Sequence, residues 1–257
     1  MARALPKKSR TPLPPKRPVQ APKLRTVQRE PGRSRMMLYA LAASALVVVA
    51  AVIGFVLLAG GGESNAATDL ADKFRSIGGS AETVSAAPNF MLNGKKLPYR
   101  HIPTEKLPRG FHYNTNPPTS GIHTDATVVY GFYDEPVPTV PTVHNLEHGA
   151  IVIRYGPDVP RAEIEKLREF YLGDANGLVV APMRGLGKTI ALAAWTFDLG
   201  RANDPNYQGE GHLAKASRFD EDAFKAFVGL YRGKAPESYR GPRSPGFKVT
   251  DLKPGGP

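Results

Sequence analysis

Apolar residues are arranged along this chain in several distinct patterns, and each predicts a different element. Residues 36–59, MMLYALAASALVVVAAVIGFVLLA, carry no charge over 24 positions. As a helix rising 1.5 Å per residue the run measures about 36 Å, enough to cross a hydrocarbon core of about 30 Å with some tilt. It exceeds the apolar core of a cleavable signal peptide, so a single-pass anchor is expected, with Ser64-Asn65-Ala66 as the alternative cleavage point. A brief helix over Asp69 to Ile77 precedes Gly78-Gly79. From 86 to 142 the chain is rich in Pro, Gly, Asn and Thr with isolated aromatics, which reads as long ordered loops. Regular patterning then begins. Ala150-Ile151-Val152-Ile153-Arg154-Tyr155 is a continuous β-rich run, the mark of a buried strand. Asp158 and Pro160 open a helix to Leu172 with Ile164, Leu167 and Tyr171 on one face, closed by Gly173. Leu178 to Ala181 and Thr189 to Phe197 read as strands, the second with a bulge expected at Ala193-Ala194. Asp220 caps a last helix whose stripe is Ala223, Phe224, Phe227, Val228 and Tyr231, ended by Gly233 and Pro236.

The order β-α-β-β-α with antiparallel-capable neighbours predicts a small α+β domain. Its expected limits are residues 86–237, with a loop-rich N-terminal half, a linker over 60–85 and a flexible tail over 238–257.

Charge adds an orientation. Residues 1–35 hold 11 of the 34 Lys and Arg and 1 of the 23 Asp and Glu, along with seven prolines. Such a stretch buries too little apolar surface to order itself, so a disordered tail is expected. The remaining residues are nearly balanced, 23 basic against 22 acidic, which argues against a nucleic-acid-binding domain body. The positive-inside rule puts the tail in the cytoplasm, in reach of anionic lipid, and the domain outside the cell membrane. No protein partner is legible. The chain has no cysteine, so disulfides, thiol nucleophiles, Cys-ligated zinc and iron–sulfur clusters are excluded.

Of six histidines, His112, His123, His144 and His148 fall within 37 residues of the loop-rich region, with His101 just before them and His212 far downstream. Imidazole is the commonest metal ligand. His144-Asn145-Leu146-Glu147-His148 matches H-x-x-E-H. On a helix, positions i and i+4 stack and both rings can reach one ion; on a strand they lie about 13 Å apart at ~3.3 Å per residue. Gly149 limits such a helix to barely two turns. Three or four imidazoles suit a Zn or Cu ion. The candidate ligands are therefore His123, His144 and His148 with His112 as a fourth, and Glu147 orients an imidazole. Against this stands a purely structural role, in which the histidines hydrogen-bond loop backbone. Ser120 near His123 offers a weaker Ser/His hydrolase alternative, and Gly187-Lys188-Thr189 lacks the glycine at position 182 that a phosphate-binding loop needs.

Three strings, Tyr113 to His123 (YNTNPPTSGIH), Gly131 to Pro136 (GFYDEP) and Val143 to Gly149 (VHNLEHG), resemble the core motifs of the bacterial domain of unknown function 3105 family, with Trp195 and Lys234-Ala235-Pro236-Glu237 as later landmarks. The resemblance covers about residues 95–237. It implies a membrane-anchored outer domain and no particular reaction, and its motifs hold the same histidines. This chain reads Asp125-Ala126-Thr127-Val128 where the family often has a tryptophan, and it lacks the family's frequent cysteines, so no disulfide is implied. The functional expectation is an anchored extracytoplasmic protein binding a transition metal. A non-catalytic envelope interaction module and a metal- or Ser/His-dependent hydrolase are the alternatives, and whether the protein is an enzyme stays open.

Overall fold

A computed structural model of the protein describes residues 65–86, 91–92, 95–96, 101–204, 206–241 and 244–256. These residues fall within one unit, Leu58–Pro257. Helix α1 spans 65–76, followed by β1 (Ser80–Ser85) and the two-residue strands β2 (Met91–Leu92), β3 (Lys95–Lys96), β4 (His101–Ile102), β5 (His123–Thr124) and β6 (Gly131–Phe132). Then come α2 (Thr139–Glu147), β7 (Ile151–Tyr155), α3 (Arg161–Gly173), β8 (Leu178–Pro182), β9 (Ile190–Thr196), β10 (Glu210–Ala216), α4 (Glu221–Tyr231), β11 (Arg240–Gly241) and β12 (Ser244–Pro245). A six-stranded sheet has the order β1-β10-β9-β7-β8-β6. Its β7, β8 and β6 are parallel, and β7, β9, β10 and β1 are successively antiparallel.

The continuous apolar run of β7 is explained by burial on both faces. Ile151 and Ile153 join a core with Phe74 of α1, Leu167 of α3 and Phe224 and Phe227 of α4. Val152, pointing the other way, packs with Val143 and Leu146 of α2, Val179, Ala193 and Trp195. Three helices thus cover one face and α2 the other, and α2 is the element that carries the histidine motif. The caps act as their residues dictate: Asp220 accepts a hydrogen bond from the Ala223 N–H at 3.0 Å.

The fold expectation is corrected on several counts. The membrane-spanning helix expected over 36–59 lies outside the described residues, as does the basic tail over 1–35; among the described residues no helix is long and apolar enough to cross a membrane. The core is not β-α-β-β-α but a mixed six-stranded sheet. Strand β10 escapes a pattern reading because Gly211, His212 and Lys215 interrupt its apolar residues, yet it pairs on both edges. The bulge expected at Ala193-Ala194 is absent, the register running unbroken through Ala193↔Leu213 and Ala194↔His212. Two alanines in a row reflect a strand buried on both faces. Within the segment expected as linker, the brief helix expected over Asp69 to Ile77 stands as α1, and residues 80–85 add the edge strand β1. The expected tail folds back, with Leu252 in the core beneath α2 and its carbonyl accepting from the Gly177 N–H at 2.7 Å.

Candidate metal centre

Helix α2 begins after Pro138 and is nine residues long, with every residue from Val140 to Glu147 buried. His144 and Glu147 share a face at i and i+3, and His148 follows in helical conformation at the C-cap, its N–H donating to the His144 carbonyl at 3.1 Å. The H-x-x-E-H string is therefore helical, in the two-turn form that Gly149 allows. Gly149 itself has φ +99°, ending the helix as a C′ glycine. A Cβ there would meet Ser238 Oγ at 2.5 Å and Gly233 Cα at 3.0 Å. Gly149→Ala is expected to lower stability by about 1–2 kcal/mol from backbone strain before the collision is counted, read as a fall in denaturant midpoint. An unchanged midpoint would remove this account of the helix end.

Strands β4 and β5 bring two more imidazoles. They pair in parallel with His101 directly opposite His123, and the two rings lie 4.7 Å apart between centroids. His144 completes a triangle, 4.8 Å from His101 and 5.0 Å from His123. His101, His123, His144 and Glu147 each offer one ligand atom, and these atoms all lie within 4.8 Å of one another.

Hydrogen bonds fix how the rings are presented. His123 Nδ1 sits 2.8 Å from the Gly121 carbonyl, which can only accept, so Nδ1 carries a proton and Nε2 is the nitrogen turned toward Glu147. Nε2 lies 2.9 Å from Glu147 Oε2. His101 repeats the arrangement: Nδ1 lies 2.6 Å from Asp125 Oδ1 and Nε2 3.5 Å from the same Glu147 oxygen. Two imidazoles held through Nδ1 and aimed through Nε2 at one carboxylate form the arrangement in which a carbonyl or carboxylate orients a metal-ligating histidine.

The surroundings favour neutral imidazole at His144. His123 is fully buried and His144 is 7% exposed, whereas the His101 side chain is 36% exposed and gives the cluster a solvent side. Burial, reinforced by the neighbouring His148 and His123, lowers the His144 pKa to about 4. The Glu147 hydrogen bond raises that of His101. His144 Nδ1 is buried without a hydrogen-bond partner.

The sequence-derived ligands distribute unevenly. His123 and His144 come together; His148 lies one turn along, pairing with Glu237 at 3.1 Å and packing at a tilt against Phe247. His112 is exposed and belongs to neither histidine group. Glu147, expected to orient a ring, stands at the centre, and Asp125 and the Gly121 carbonyl do the orienting. His101 carries no local signal, because its pairing with His123 depends on a parallel register between strands 22 residues apart. Ser120 is fully buried, and both His123 nitrogens are already engaged, so the ring is not available to activate that hydroxyl.

The family model described as "Protein of unknown function (DUF3105)" matches residues 106–243. No curated protein and no solved structure matches the chain. The matched span includes His123, His144, Glu147, His148 and Glu237 and begins just after His101. Since it takes in more than half of the 257 residues, the chain belongs to the DUF3105 family of proteins of unknown function.

Proposed function

We propose that this protein binds a divalent transition-metal ion, Zn(II) or Cu(II), through His101, His123, His144 and Glu147. The observation that carries the reading is the convergence of the His101 and His123 Nε2 atoms on one Glu147 oxygen, with each Nδ1 held from behind. Three nitrogens and one carboxylate oxygen are a donor set that suits either ion, and zinc in a structural site takes four such ligands tetrahedrally. The C-terminal end of α2, negative by its dipole, adds to the attraction for a cation. Four protein donors complete the tetrahedron of a structural zinc site, so with Zn(II) the set favours holding an ion over activating water.

Metal content of the purified full-length chain, measured by mass spectrometry after loading and desalting, tests the reading. His112→Ala is expected to leave the content unchanged, whereas Glu147→Gln lowers it. Wild-type protein that retains no Zn(II) or Cu(II) would end the proposal.

A further inference from the structure

Beside the first cluster stands a second, and the two share a residue. His144, His148 and Glu237 each offer a ligand atom, and these three atoms also lie within 4.8 Å of one another. The His144 and His148 rings are 4.4 Å apart at 67°, and His148 Nε2 is 3.1 Å from Glu237 Oε2. Glu237 comes from the segment after α4, far from α2 in sequence. Backbone bonds on both sides pin it: its N–H donates to the Glu147 carbonyl at 3.0 Å, and its carbonyl accepts from the Phe247 N–H at 2.9 Å. The same segment is tied to the end of α2 by Ser238 Oγ donating to the His148 carbonyl at 3.3 Å. The backbone that carries this carboxylate is therefore fixed beside the end of α2.

An imidazole has two nitrogens with diverging lone-pair directions, and one metal centre uses one of them. His144 belongs to both clusters while its Nδ1 has no hydrogen-bond partner. Nearly every ligating histidine donates its second ring N–H to a carbonyl, carboxylate or water, as His101 and His123 do here. His144 departs from that rule in a buried position, where an unmet polar atom is costly.

Resting on the metal reading above, we infer that the protein holds two divalent ions, with the His144 ring bridging them and His148 and Glu237 seating the second. Binding of the second ion displaces the remaining ring proton of His144 to solvent, so the ring becomes an imidazolate with one nitrogen on each ion. Ordered water and small anions complete the coordination of the second ion, since the protein supplies it three groups.

Cu(II) loading of the full-length chain, read by metal content and by electron paramagnetic resonance, tests the inference. Two ions per chain are expected, with an integrated resonance signal well below two spins because the bridge couples them. His148→Ala and the milder Glu237→Gln each bring the content to one ion with a full one-spin signal. His123→Ala also leaves one ion, now on the second cluster. Thermal melts of the variants check that each is folded, and Glu237→Gln keeps the test informative if His148→Ala is not. A wild type that saturates at one ion, lost in His123→Ala and kept in His148→Ala, overturns the second site and leaves the first standing. One ion kept in His123→Ala but lost in His148→Ala overturns both the pair and the first centre. Two ions with a full two-spin signal overturn the bridge.

Discussion

His123→Ala weakens Zn(II) binding at the His101–His123–His144–Glu147 centre by more than ~100-fold. The expectation follows from how completely this ring is committed. It is fully buried, its Nδ1–H is fixed on the Gly121 carbonyl, and its Nε2 is turned to Glu147 at 2.9 Å. Alanine deletes a donor that no neighbour can replace, and loss of an orienting partner alone typically costs 10–100-fold in affinity. Asp125→Asn supplies that smaller comparison, because it leaves every ligand in place and weakens only the hold on His101 Nδ1; about tenfold is expected. Competition titration against a chelator, in a His148→Ala background so that one site is read, measures both. Equal affinities for wild type and His123→Ala would remove His123 from the ligand set.

Acid destabilises this fold through imidazoles buried in the neutral form. His212, on β10, lies between Thr83 Oγ1 at 2.9 Å and Thr196 Oγ1 at 2.7 Å and stacks on Tyr231 at 3.8 Å. Burial, with Lys234 nearby, lowers its pKa from 6.5 to about 4. Between those two values the unfolded chain binds a proton that the folded chain refuses. Stability is therefore intact above about pH 6.5 and falls as the pH drops toward 4, by roughly 3 kcal/mol for a shift of this size. His144 contributes in the same direction and over the same window. His101 has the opposite sign: its raised pKa gives stability that is complete below about 6.5 and is lost as the pH rises through the raised value. Denaturant unfolding at pH 7.5 and 4.5 is expected to show the loss, and His212→Gln, which cannot titrate, to recover about 3 kcal/mol of it. A variant with the wild-type pH slope would contradict the assignment.

How much of this was legible in the sequence depends on whether the cause was local. The strand at 151–155 and helices α3 and α4 carry their signals in their own periodicity and caps, and they stand where the pattern put them. The helical form of H-x-x-E-H and its termination at Gly149 are local too. Strand β10 is not, because its place between β1 and β9 is set by its partners rather than by its own composition. The centre divides in the same way. His144 and Glu147 come from one helix, and His123 is announced by clustering. His101, Asp125 and Glu237 join through a parallel register, a loop contact and a segment beyond α4, respectively. His112 shows the converse, a histidine that is close in sequence yet exposed and outside both groups.

Anomalous diffraction at the metal absorption edge, on crystals of the Zn(II)-loaded protein, tests the central claim most directly. A peak about 2.0–2.2 Å from the Nε2 atoms of His101 and His123, a His144 nitrogen and a Glu147 oxygen is the expected result. A loaded crystal with no peak inside that group of four would contradict it.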